Sequence, residues 1–472
     1  MTSLMKEQRK QKISKETWPR KDVVNTHKCK GGHSSATTQD TKPIRRGNHN
    51  SLMEQVLERD NLKRAYNRVK RNKGAPGIDG VTVENLKPYL WENWARIKSE
   101  LLEGTYKPHP VRRVEIPKQD GGKRLLGIPT TIDRLIQQAV LQILTPIIDP
   151  KFSSGSYGFR PERSAHQAVK QAQCYIEQGY SHVVDIDLER FFDKVNHDIL
   201  MSKVAKVITD RSILKLIRRY LQAGVMINGC CITGEEGTPQ GGPLSPLLAN
   251  IMLDSLDKEL TERKHRFVRY ADDCNIYVKS KRAGIRVLES IKQFVENKLK
   301  LKVNMEKSAT DRPWRRKILG FSFFYTKELE HKIRLAPNTL KRFKNKIREL
   351  TSKTRGISIG ERLRELNNYL KGWIGYFQLA QTRAIFDVLD GWIRRRLRAC
   401  LLKQWKRPRT KRVRLMLLGI PKEKATRISR SRKGCWRLSI APQIHRALSV
   451  GYWHNQGLVS LVKRYDELCE AL

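Results

Sequence analysis

Two adjacent aspartates, Asp272 and Asp273, sit between two short alternating runs, Phe267–Tyr270 and Cys274–Val278. Side by side in a tight turn, two carboxylates repel each other, a cost that a bound cation removes. A third, Asp187, ends another strand-like run, His182–Asp187, and is followed by Phe191, Phe192 and Asp193. If these runs are neighbours in one sheet, Asp187 and Asp272 face a common site. Hard carboxylate oxygens suit Mg²⁺, and two such ions catalyse in-line phosphoryl transfer. Taken singly, each has a plainer reading, Asp187 as a helix N-cap and Asp272-Asp273 as turn residues. Asp185 and Asp193 read as strand-end and capping groups.

Three further stretches have the composition of parts of one site. Val114–Lys118 and Gly121–Arg124 place two strands around a glycine turn, with basic groups at its base able to hold a triphosphate. Gly158-Phe159-Arg160-Pro161-Glu162-Arg163-Ser164 is a rigid turn entering a helix, and its arginines and backbone N–H groups suit a nucleic-acid phosphate. Thr238–Pro246 is a proline/glycine loop entering an apolar helix over Leu247–Leu256, which lets a base or sugar approach the backbone closely. Alone, the first of these is an ordinary basic hairpin.

Positioning these groups requires a mixed scaffold. Val111–Pro117 alternates as a strand, Ile132–Leu144 has one apolar helical face, and His182–Asp187 has the pattern of a buried strand. Ser51-x-x-Glu54 has the form of a capping box and opens a helical pattern, with Asp60-Asn61 as a break, that stops at Gly74. The order of strands and helices predicts an α+β sheet covered by helices on one side. From about Ala336 helical patterns dominate. Between Gly391 and Lys422 there are twelve lysines and arginines and no acidic residue, over an apolar stripe that includes Trp392, Ile393, Leu397 and Leu401. One face can then pack while Arg394, Arg395, Arg396, Arg398, Lys403, Lys406, Arg407 and Arg409 meet phosphate.

The chain of 472 residues carries 94 lysines and arginines against 47 acids, a formal charge of +47. Self-repulsion at that charge points to a polyanionic partner. No apolar run reaches the ~18–20 residues of a membrane span, and no secretory apolar core follows Met1. The eight cysteines form no C-x-x-C and no zinc spacing, and read as reduced, mostly buried thiols of a cytoplasmic protein.

The blocks 114–129, 155–168, 183–198, 237–256, 267–279, 293–308 and 317–323 resemble, in order, the seven sequence blocks of reverse transcriptases. Gly74-Ala75-Pro76-Gly77-Ile78-Asp79-Gly80 and Gly372-Trp373-Ile374-Gly375-Tyr376-Phe377 narrow the likeness to group II intron-encoded reverse transcriptase/maturases of the compact bacterial kind, similar to the group IIC class. The resemblance implies a right-hand polymerase followed by a helical domain. Its parts would be a basic leader (1–50), an N-terminal extension (51–110), fingers and palm (111–335), a thumb/maturase domain (336–412) and a small DNA-binding-like domain (413–472). It implies Asp187, Asp272 and Asp273 as catalytic ligands of two Mg²⁺, and Lys118 and Arg124 as the grip on the dNTP triphosphate. Phe192 would close against the sugar 2′ position, and Gln240 would abut the incoming nucleotide. The implied partners are the parent intron RNA, a primed RNA template and target DNA, and the implied activities are cDNA synthesis, splicing assistance and retrohoming. No H-N-H endonuclease pattern is expected at the C-terminal end. The competing readings are an RNA-binding maturase that has lost polymerase activity and a domesticated or defence reverse transcriptase free of any intron.

Overall fold

The computed structural model describes residues 51–117, 122–227, 230–232, 237, 241–326 and 330–471, so the 1–50 leader lies outside the described residues. Three helices, α1 (Leu52–Val56), α2 (Arg59–Asn72) and α3 (Leu86–Leu102), precede a hairpin of β1 (Val111–Pro117) and β2 (Lys123–Ile128) and then helix α4 (Thr131–Ile148). Ser51 and Glu54 do form a reciprocal capping box. The first break falls at Leu57-Glu58 and not at Asp60-Asn61, because the buried Asn61 amide donates to Val56 O and Ala139 O, pinning the start of α2 against α4.

Next come α5 (Ala165–Glu177), β3 (His182–Ile186), α6 (Phe191–Lys194), α7 (His197–Ala205), α8 (Arg211–Gln222), β4 (Val225–Ile227) and β5 (Cys230–Ile232). Helix α9 (Ser245–Glu262) leads into the hairpin β6 (Arg266–Tyr270) and β7 (Asp273–Val278), then α10 (Lys281–Lys298), β8 (Ala309–Asp311), β9 (Phe321–Tyr325) and β10 (His331–Leu335). One four-stranded sheet has the order β2-β1-β4-β5; the second, β6-β7-β3-β8, is antiparallel throughout, and β9 and β10 form an antiparallel pair of their own. The α+β architecture is as the patterning predicts.

Strand parity divides the second sheet. Val184 and Ile186 of β3, with Cys274, Ile276 and Val278 of β7, face a core built with α1–α4 and α7–α10. Val183, Val268 and Tyr277 face the opposite core, which continues through α5, β9 and β10. That second core also holds the helical half: α11 (Pro337–Leu350), α12 (Ile359–Phe377), α13 (Arg383–Gln404), α14 (Pro408–Leu417) and α15 (Lys422–Ser429), then α16 (Cys435–Leu438), α17 (Pro442–Ala447), α18 (Val450–Asn455) and α19 (Leu461–Glu470). Helices therefore cover both faces, not one, since a sheet whose strands are apolar on both sides must bury both. Because side chains alternate, Asp185, Asp187 and Asp273 share the face that looks toward α11–α12. The five described free cysteines include two buried, two half-buried and one exposed, a wider spread than expected.

Candidate active site and nucleic-acid interface

The turn between β6 and β7 is two residues long, Ala271 and Asp272, because Tyr270 pairs with Asp273. Ala271 sits at φ 57, where a side chain costs about 1 kcal/mol or more. The surrounding packing holds it there. Buried Arg269 directs all five N–H groups inward: to both Asp257 carboxylate oxygens (2.7 and 2.5 Å), Asn250 Oδ1 (3.0 Å), Ser156 Oγ (2.8 Å) and Ala271 O (2.8 Å). Burial pushes the Asp257 carboxyl up, and the bidentate guanidinium opposes it. The turn of residues 155–158 packs on the hairpin so closely that a Cβ on Gly158 would lie 2.4 Å from Ala271 N. A glycine there is a packing requirement.

Asp187 follows the last ladder pair, Ile186 with Cys274, so it falls beside Asp273; Asp272 occupies the turn itself. Residues after α10 hold Asp187. Its N–H donates to Ser308 Oγ (3.0 Å), its carbonyl accepts from Asn304 N–H (2.9 Å), and Lys307 Nζ stands 3.7 Å from its carboxylate. Asp185, expected at a strand end, is inside β3 and faces the same cavity. It accepts from Asn275 Nδ2 (3.1 Å) and from Arg316 (2.7 and 3.2 Å). Its place two residues before Asp187 on an alternating strand was the available signal. Burial raises its pKa, with Arg316 opposing. Lost hydration, then the like charges of Asp272, Asp185 and Asp187, push Asp273 up to about 6. Asp193 lies in the first turn of α6 and caps nothing.

Asp185, Asp187 and Asp273 line a cavity of about 1080 Å³ that is also lined by Arg342 and Phe343 of α11 and by Tyr369, Trp373 and Phe377 of α12. Among the described residues no group of three or more His, Cys, Asp or Glu side chains forms a metal cage. The crowded hard oxygens nevertheless fit magnesium, which takes one or two carboxylates and completes its shell with water and substrate phosphate.

Phe192 lines a second cavity, of about 970 Å³, with Leu126 of β2, Phe159 and Gly241-Gly242-Pro243. Gly241, at φ 132, approaches β2 so closely that a Cβ would lie 2.5 Å from Gly127 O. Phe159, which sequence reasoning passed over, holds φ 57 with 60% of its surface exposed, and its ring lies 6.1 Å from that of Tyr270 in the first cavity. A bulky side chain held exposed at positive φ is an uncommon, strained placement. Lys118, Gln240 and the Arg124 side chain lie outside the described residues.

Several basic residues assigned to nucleic acid are placed otherwise. Arg160 is committed internally, donating to the Asp149 carboxylate and carbonyl and to Ser153 O and Ser156 O, so it is not a phosphate contact. Arg163 is exposed and lies over the Tyr157 ring. On α13, Arg398 is buried at 4% exposure and its pKa is lowered by that burial. Arg396 donates to Thr351 Oγ1 (2.5 Å), and Arg395 stacks on Trp436 with its guanidinium carbon 3.9 Å from the ring centre. Arg394 is half-buried, while Lys403, Lys406, Arg407 and Arg409 are exposed.

A carboxylate-bearing hairpin at the end of an antiparallel sheet, facing a cleft walled by a helical domain, defines the class as a nucleotidyl-transferring polymerase of right-hand form. The model of the family "Reverse transcriptase (RNA-dependent DNA polymerase)" matches residues 116–323, and that of "Group II intron, maturase-specific domain" matches 340–417. Protein YkfC of Escherichia coli (strain K12) is 36% identical over 277 residues, 50% of this chain and 73% of YkfC. Group II intron-encoded protein LtrA of Lactococcus lactis subsp. cremoris is 40% identical over 219 residues, 46% of this chain but only 36% of LtrA. A chain of a partial Cas6-RT-Cas1--Cas2 complex aligns with a TM-score of 0.35 at 25% identity, covering 52% of this chain and 43% of that one, a likeness too loose to argue from. The chain belongs to the reverse transcriptases that carry a group II intron maturase-specific domain.

Proposed function

We propose that the cleft copies an RNA template into cDNA with two Mg²⁺ ions at Asp187, Asp272 and Asp273, and that the chain also binds its parent group II intron RNA to assist splicing and retrohoming. The observation that carries this reading is the meeting of Asp187 with the 272–273 turn on the face open to α11–α12. In the reaction the primer 3′-oxygen bonds to the α-phosphorus of a dNTP, the bond to the β-phosphate oxygen breaks, and pyrophosphate leaves. The 3′-hydroxyl proton passes to water. Magnesium held by the aspartates would stabilise charge on the attacking and leaving oxygens.

The chain's own residues orient and select. Lys307 tempers the charge of Asp187, and Arg316 fixes Asp185 against β7. Phe192 supplies the wall against the sugar 2′ position, with Gly241–Pro243 opposite it in the same cavity. Lys118, Arg124 and Gln240 complete the nucleotide grip in this reading. Exposed Arg163, Lys403, Lys406, Arg407 and Arg409 are among the basic side chains open to RNA or target DNA. The site of action proposed is the bacterial cytoplasm, at nucleic acid. Among the described residues no helix is long and apolar enough to cross a membrane.

The test is primer extension on a primed RNA with Mg²⁺, comparing the wild-type chain with Asp272→Ala, alongside splicing of the flanking RNA at low Mg²⁺. The expected result is cDNA from the wild type alone and splicing from both. Salt-dependent RNA binding with no nucleotide incorporation by the wild type would leave only the maturase.

A further inference from the structure

The proposed catalytic cleft opens at the turn end of the β6–β7 hairpin. At the opposite end of the same strands lies a separate shallow groove of about 500 Å³, lined by Arg263, Lys264, Arg266, Lys279 and Arg286. No carboxylate stands among its described lining residues. Arg263 is tied to Glu259 (2.5 Å) and Ser290 (2.6 Å). Lys264, Arg266, Lys279 and Arg286 are exposed, and none pairs with a carboxylate among the described residues. Lys279 instead lies 5.9 Å over the Tyr180 ring. Burial and then the Arg263 charge hold the His265 pKa below its ordinary value.

Uncompensated cations around one concavity repel each other and concentrate anions. The groove is too shallow to enclose a small ligand, whose sites bury most of its surface, whereas a polymer backbone can lie across it. Strand β7 is six residues long, which at ~3.3 Å per residue sets the groove roughly 17 Å from the Asp273 end. A phosphate chain in the groove is therefore not the strand end being extended.

We propose that this groove is a second RNA-binding surface, taking the phosphodiester backbone of a folded RNA while the cleft at the other end of the hairpin holds primer and template. The inference rests on the RNA-directed reading above. Its test is a binding measurement, so it reads out even from a chain that makes no cDNA.

The variant is Lys264→Ala, Arg266→Ala, Lys279→Ala and Arg286→Ala together, with Lys264→Glu/Lys279→Glu as a second should the first fail to fold. Binding of a long structured RNA transcript and of a short primer–template duplex is followed against salt, with primer extension on the duplex in parallel. For the structured RNA, the slope of log affinity against log salt should fall by roughly three for the fourfold variant, while extension on the duplex stays at the wild-type rate. An unchanged slope would overturn the proposal. Equal weakening on the short duplex would too, since the charges then act on the cleft or through net charge alone. So would displacement of the transcript by millimolar ATP at the groove, which would make it a nucleotide site.

Discussion

The acidic end of the β6-β7-β3-β8 sheet and the basic run of α13 are both dense in charge, yet the structure treats them oppositely. Asp185, Asp187 and Asp273 alternate with apolar residues, so the pleat puts them on one face and their repulsion sets them at an open cleft. Arg394, Arg395, Arg396 and Arg398 fall within five consecutive helical positions, and at 3.6 residues per turn such a run goes right round the helix. Some of those arginines must meet the core whatever their charge. Arg398 does, and Arg396 is captured by Thr351. Charge in a strand with period two is a directional statement, while the same density in a helix is not.

The largest effect that would break this comparison is at the carboxylates. Asp187→Ala and Asp273→Ala should each lower primer extension by about a thousandfold or more while RNA binding is kept, the scale on which loss of metal-centred catalysis acts. Wild-type extension by either variant would remove the acidic end from the chemistry. Next is Arg269→Ala, which strands Asp257 without its partner and releases the Ala271 turn. The cost should be about 3–5 kcal/mol, seen as a large fall in the urea midpoint. Phe192→Ala should relax discrimination against ribonucleotides by roughly 10–200-fold, the range of a steric pocket, measured as the ratio of kcat/KM for dNTP and rNTP.

Smaller effects sharpen the contrast between the two kinds of basic residue. Lys406→Ala or Arg407→Ala should each reduce the salt slope of RNA binding by about one, with no change in melting temperature. Arg160→Ala should do the reverse, lowering the melting temperature with the slope intact, because its guanidinium joins Asp149 to the 153–156 turn. The smallest effect concerns pH. Asp273 has a pKa raised to about 6 from an ordinary 3.8, so the folded metal-free chain binds that proton more tightly than the unfolded chain does. The stabilisation is present below pH 4 and is lost as pH rises through 6. Asp273→Asn should thus raise the melting temperature of the metal-free chain at pH 7 but not at pH 4. Activation by Mg²⁺ in the wild type should weaken as pH falls below about 6, where the proton competes with the ion.

Much of this was legible in the chain. The alternation around Asp187, the hairpin on either side of Asp272-Asp273 and the Ser51–Glu54 box are local patterns, each realised within a few residues of where periodicity puts it. The misreadings have a common cause. Asp185 reads as a structural strand-end group, although its parity with Asp187 places it on the cavity face. Arg160 was given to phosphate because its partner Asp149 is eleven residues away, across an intervening turn. The one-sided sheet failed because Val183, Val268 and Tyr277 make the second face apolar too, and it is covered by α5 and by helices from residues beyond 335.

What the sequence alone determined is the placing of Asp187 at the end of a strand and of Asp272-Asp273 in a hairpin, the order of the blocks and the sign of the partner's charge. These depend on residue type and on spacing along a strand or turn, which backbone geometry converts directly into direction. Only the tertiary structure decided which cations face water and which are bound inside, and that Asp185 and Arg316 stand at the cleft. It alone set a basic groove at the far end of the β6–β7 hairpin. Those outcomes hinge on which distant surfaces come together. Burial is a property of the assembled packing, and no residue carries it by itself.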